Sequence, residues 1–134
     1  MTQAICRCDA EAAAACIAES GAYHDGFYGE FKGRVAIAEM VQRHFHGAAT
    51  DFSWSLSDAV AEGDCGYASY DFSYTSKIAG SEGRRAGFRG ICKVRLKEGL
   101  IERYEEIFER AQVLARLGFA DERILKSVRK WAGA

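Results

Sequence analysis

The chain has 134 residues, 49% of them hydrophobic and 28% charged, with a formal net charge of −1. That length and composition suit one packed domain and argue against a disordered chain. The balanced charge, with no basic run interleaved with aromatics, argues against a nucleic-acid partner, and no window approaches the ~18 apolar residues of a membrane span.

Residues 9–19 (DAEAAAACIAE) predict a helix, with Asp9 as N-cap and Ser20-Gly21 as its stop. Residues 22–26 read as a short strand running into a turn, and 27–33 as an irregular loop or tiny hairpin. A second helix is expected over 34–46, with Val35, Ile37, Ala38, Val41 and Phe45 as its buried stripe and Gly47 at its end. Phe52, Trp54 and Leu56 alternate with serines, the pattern of a strand that reaches toward Val60. Glu62-Gly63-Asp64 is a turn, and Tyr67 to Thr75 is a strand with two rows. Ala68, Tyr70, Phe72 and Tyr74 form one row, and Tyr67, Ser69, Asp71, Ser73 and Thr75 the other.

After a glycine-rich loop at 79–83, the stretch 88–108 predicts a long β-hairpin. Phe88, Gly90, Cys92, Val94 and Leu96 share one face of its first strand, and Lys97-Glu98-Gly99 reverses the chain. The return strand places Leu100, Glu102, Tyr104, Glu106 and Phe108 in one row. Glu106 is the anomaly, a carboxylate between two aromatics on a face that should be largely inside. It is paired, on a rim, or used in chemistry. Residues 109–117 read as helical, closed by Gly118. Asp121 then caps a last amphipathic helix carrying Ile124, Leu125, Val128 and Trp131. The order is α+β with an antiparallel sheet, in one domain without repeats.

Five cysteines, Cys6, Cys8, Cys16, Cys65 and Cys92, form no C-x-x-C pair. They read as free thiols of a cytoplasmic protein. No basic head precedes an apolar run at the N-terminus, so no signal peptide is expected. No metal or cofactor is expected either. His44 and His46 lie two apart on a helix and do not share a face, which suits a solvated helix end. His24 points away from Asp25 if that segment is extended. Gly80-Ser81-Glu82-Gly83 lacks the lysine and following helix of a phosphate loop.

Three segments carry a resemblance: YHDGFYGEFKGRVAI (23–37), EGDCGYASYDFS (62–73) and KVRLKEGLIERYEEIFE (93–109). In this order and spacing the chain resembles the nuclear-transport-factor-2-like superfamily and its SnoaL-like branch, over about residues 9–118. The resemblance implies a curved sheet and helices forming a cone around an apolar pocket, with the outer sheet face packing on a second copy. It implies no single activity, since isomerases, hydrolases, polyketide cyclases and non-enzymatic binders share the fold.

Residue by residue, Asp25 falls at the general base of ketosteroid isomerase, although Asp25-Gly26 is also a turn dipeptide. That enzyme's hydrogen-bonded acid is here Cys92, a poor donor, so steroid isomerisation is not expected. Asp71 and Glu106 fall at two pocket acids of limonene-epoxide hydrolase, whose arginine position is here Ser69. The resemblance therefore turns Tyr67, Ser69, Asp71 and Ser73 toward the pocket, against the hydrophobic pattern. Tyr70, Phe72 and Tyr74 are left for a homodimer interface. Tyr23, Trp54, Tyr67, Ser69, Cys92, Tyr104 and Phe108 are the expected pocket lining, with Tyr104 as a ligand-orienting hydroxyl. Asp25, Asp71 and Glu106 are the expected catalytic acids, acting on a small apolar or aromatic molecule by hydrolysis, isomerisation or cyclisation. The alternative is a non-catalytic binding or dimerisation module.

Overall fold

The computed structural model describes residues 1–133. Two short helices, α1 (Thr2–Cys6) and α2 (Ala10–Ala15), precede β1 (Ile17–Asp25) and β2 (Gly29–Lys32). Helix α3 (Arg34–Met40) continues as a wider, π-helical turn over Val41–His46. Four long strands follow, β3 (Ala49–Glu62), β4 (Cys65–Ser76), β5 (Arg85–Lys97) and β6 (Leu100–Phe108). The chain ends in α4 (Arg110–Arg116) and α5 (Asp121–Trp131).

The strands form one sheet in the order β2-β1-β6-β5-β4-β3. The β3–β6 meander is antiparallel throughout, as the sequence pattern predicts. β1 joins it by a parallel pairing with β6, so the sheet as a whole is mixed. That pairing also explains where the first predicted helix stops. The Asp9 carboxylate caps α2 by accepting from the Ala12 N–H at 2.9 Å, but the helix ends at Ala15 and residues from Ile17 pair with β6. Tertiary pairing overrides the helix propensity of residues 16–19. α1, which no strong pattern announces, buries Ala4 and Ile5 in the core.

β3 is bent where its pairing with β4 slips, between Thr50 and Ser53 and again between Ser57 and Val60. Asp51 and Asp58 sit inside these two bulges with φ of 53°. Aspartate tolerates this left-handed geometry better than most residues, and bulges of this kind curl a sheet. The concave face so made carries Tyr70, Phe72, Phe88 and Cys92, all buried against α1 to α3. Phe72 is its hub, with ring centroids of Trp54, Phe88 and Tyr74 at 4.7, 5.5 and 5.6 Å. Gly90 lies opposite Tyr70, and a Cβ there would run into the Tyr70 ring. The missing side chain is what lets that ring lie flat on the sheet.

The β5–β6 hairpin forms as predicted. Its turn uses Glu98 and Gly99 at φ 52° and 77°, the two positive angles of a type I′ reversal. A bulge between Arg95 and Leu96 shifts the register, so Leu96 faces Ile101. The predicted row is corrected by one position. Ile101, rather than Glu102 or Leu100, joins Tyr104 on the inner face. In the second predicted helix Val35 is 75% exposed, and Met40 fills the core in its place. Asp121 is the first residue of α5, not its cap, where its charge suits the helix dipole.

Candidate functional site

The site is built where β1 ends beside β6. The parallel register matches Tyr23 with Tyr104 and His24 with Glu105. Tyr23 and Tyr104 are buried and their rings lie 4.7 Å apart. Two residues along each strand return to the same face, which sets Asp25 beside Glu106 at the inner end of the pair. Neither acid is adjacent to the other in sequence; the parallel pairing alone brings them together.

The turn after β1 locks this arrangement. The Gly26 N–H donates to Glu106 Oε1 at 3.2 Å. Asp25 Oδ1 accepts from the N–H groups of Phe27 and Tyr28 at 2.8 and 2.9 Å. Asp25 is only 4% exposed. Burial raises its pKa, and the two backbone donors and the nearby His44 and His24 pull it back. Glu106 is pushed up to about 8, first by burial and then by the Asp25 charge, against smaller opposing pulls from Gly26 and Tyr23. The two acids form one coupled unit, in which Glu106 keeps a proton at neutral pH.

Around them lies a cavity of about 280 Å³ with mostly aromatic walls. Trp54, Tyr70, Phe72, Phe88 and Phe108 line its sheet side, and Phe45 and His44 its helix side. The Tyr28 ring stacks on His44 with centroids 3.9 Å apart. Burial lowers the His44 pKa, partly offset by the Asp25 charge, so the imidazole is neutral at pH 7. Helix α5 closes the mouth. The Trp131 indole N–H donates to the Phe27 carbonyl at 3.3 Å, and the Arg110 guanidinium lies 4.4 Å over the Trp131 ring. Among the described residues four buried side-chain polar atoms have no hydrogen-bond partner: the hydroxyls of Tyr23, Tyr70 and Tyr104, and the Trp54 indole N–H.

Of the predicted acids, Asp25 and Glu106 share the cavity and Asp71 does not. Asp71 lies exposed on the convex face, where the Arg89 Nε–H donates to it at 3.0 Å. Tyr67 (44% exposed) and Ser69 are on that same outer face. The hydrophobic pattern of β4 is right and the placement taken from the resemblance is one residue out of phase. Tyr70, Phe72 and Tyr74 point inward, so they are cavity wall rather than dimer interface. Trp54 and Phe108 line the cavity. Tyr23, Cys92 and Tyr104 are buried in the layer behind Glu106, with Cys92 directly across the ladder from it. His24 is exposed, and the His46 ring meets the Ile5 carbonyl at 2.9 Å.

Sequence reading missed His44. Its signal was there in the neighbouring aromatics, but the π-helical turn changes the angular step per residue, so α-helical spacing misplaces it. It also missed the α5 contribution of Arg123, Ser127 and Lys130. Among the described residues no cluster of three or more His, Cys, Asp or Glu could hold a metal, and no helix is long and apolar enough to cross a membrane.

Comparison with known proteins places this geometry in a family. A family model described as a SnoaL-like domain matches residues 1–104. No curated protein matches the chain by sequence. A Catenulispora acidiphila protein of ketosteroid isomerase-like fold, solved with trimethylamine, superposes with a TM-score of 0.80 at 18% identity, over 90% of this chain and 91% of that one. IdmH from Streptomyces antibioticus, named as a candidate polyketide cyclase, gives 0.72 at 21%, over 87% and 92%. An epoxide hydrolase of Mycobacterium tuberculosis gives 0.68 at 16%, over 86% and 77%. At such identities the likeness establishes the nuclear-transport-factor-2-like fold, and the site chemistry has to carry the activity.

Proposed function

Since this chain belongs to the SnoaL-like domain family, we propose that it is a cofactor-independent acid–base enzyme that isomerises or cyclises a small apolar ring compound, with Asp25 and Glu106 as its working pair. The observation that carries this reading is Glu106, pushed up to about 8 beside Asp25 in an aromatic cavity. Two acids with unlike surroundings separate into a base and an acid. Asp25, held by two backbone N–H groups, takes a proton from a carbon next to a carbonyl. Glu106 gives its proton to the carbonyl oxygen, so an enol forms without a free enolate. Return of the Asp25 proton to another carbon, and of the enol proton to Glu106, completes an isomerisation and restores both groups. In this reading His44, neutral and close to Asp25, steadies the charge that moves. Epoxide hydrolysis by an Asp71–Glu106 pair has no support in this geometry, because Asp71 faces outward.

The test needs no natural substrate. 2-Tetralone, a bicyclic ketone with acidic α-hydrogens, is incubated in D2O and its α-proton exchange followed by NMR. The protein should accelerate exchange, and Asp25→Asn should lose about 10²-fold or more of that acceleration. Exchange no faster than with free acetate at equal concentration would leave a binding module, the competing reading. The free thiols at all five cysteines suit a reducing compartment, the cytoplasm. A homodimer remains part of the reading, but through the residues that do face outward: Val60, Tyr67, Ile91 and Ile107.

A further inference from the structure

One end of the cavity takes no part in the proton transfer. Arg123, Ser127, Lys130 and Trp131 of α5 all line it. Their spacing of four, three and one puts them on one helical face, turned to the mouth. The Arg123 guanidinium lies 3.7 Å over the Phe119 ring. Among the described residues neither Arg123 nor Lys130 is in a salt bridge, although Asp121 and Glu122 share their helix. Arg110, by contrast, is committed to the Gly26 carbonyl at 3.0 Å and to Trp131. The cavity is thus polarised, with two carboxyl groups at its inner end, aromatic walls, and at its exposed rim two cations that are in no salt bridge among the described residues.

We infer that the ligand is an aromatic carboxylate, whose anionic group is held at the rim by Arg123 and Lys130 while its ring system enters the cavity. The inference rests on the reading of the cavity as a small-molecule site and names the ligand class for it. The charge layout fixes the orientation. An anion driven to the inner end would meet Asp25, whereas at the rim it meets a guanidinium fork suited to a carboxylate. The reacting part of the ring system is then the end that reaches Glu106.

Calorimetry with three naphthalene probes of one shape tests this: 2-naphthoate, 2-naphthamide and (2-naphthylmethyl)trimethylammonium. The naphthoate should bind about tenfold tighter than the amide, and its affinity should fall with added NaCl while that of the amide holds. Arg123→Gln with Lys130→Gln should abolish the preference; both positions are exposed on α5, so the fold tolerates them. Equal binding of naphthoate and amide, or tightest binding of the ammonium probe, would overturn the carboxylate inference and leave the pocket reading intact. Failure of the unmodified protein to bind any of the three would overturn both. The salt series reads the inference on the unmodified protein, independently of how the double variant behaves.

Discussion

Glu106 is the residue on which the proposed chemistry turns, and its protonation has a consequence for stability as well. In the fold it keeps its proton up to about pH 8, whereas in an unfolded chain a glutamic acid loses it near ~4.3. Between those values the folded state binds more protons than the unfolded one, so stability falls as pH rises. The favourable contribution is complete below the unfolded pKa and is lost as pH passes through the folded one. Asp25, also raised, pulls in the same direction. Glu106→Gln keeps a hydrogen-bonding group of the same size but cannot ionise. Thermal melts from pH 5.5 to 8.5 should therefore show a steep loss for the unmodified protein and a flatter one for the variant, which becomes the more stable of the two at pH 8.5. Parallel curves would mean that Glu106 is already charged at pH 5.5. In the exchange assay the same pair predicts a bell: the rate falls in acid as Asp25 protonates, and falls in alkali as Glu106 ionises.

At the scale of elements, the sheet has two faces of different purpose. Its concave face holds Tyr70, Phe72 and Phe88. Its convex face leaves Val60, Ile91 and Ile107 65%, 55% and 78% exposed, with Tyr67 among them. Ile91 and Ile107 are directly cross-strand neighbours, and Val60 pairs with Tyr67 two ladder positions away. Such a stripe on an open sheet favours a second copy. Sedimentation at micromolar concentration should show a dimer that Ile91→Glu with Ile107→Glu dissociates; a monomeric unmodified protein would remove the interface. The elements themselves were largely legible in the sequence. Strict alternation announced β5, β6 and the two rows of β4, and the Asp9 cap and Gly118 stop marked α2 and α4. What local pattern does not encode is which strand lies beside which. The parallel β1–β6 pairing is non-local, and it both shortened α2 and joined Asp25 to Glu106. The π-helical turn hid His44 for a different reason, because it breaks the 3.6-residue step on which the reading relied. Asp71 went astray through a one-residue phase error in a motif match, which in a strand exchanges the faces.

At the scale of the whole molecule, the cavity is a joint product of three distant parts of the chain. The β1–β6 end supplies the acids, the π-helical turn supplies His44, and α5 supplies the rim. α5 buries none of its own residues fully, and Leu125 and Val128 stay 55% and 38% exposed. Its apolar stripe was visible in the sequence, but its place over the mouth was not, since an amphipathic pattern names a buried face without naming what covers it. The Trp131 hydrogen bond to Phe27 and the Arg110 contact tie this helix to the same turn that holds Glu106. Helix α5 and the acid pair are thus anchored on one turn.

The central claim is that this proton is present at neutral pH. Its most direct measurement is an NMR titration of the protein with 13C-labelled glutamate side-chain carboxyls, the Glu106 signal being assigned by its loss in Glu106→Gln. A midpoint near 8 is expected for that signal. A midpoint between about 4 and 5, the ordinary range of an accessible glutamate, would contradict it.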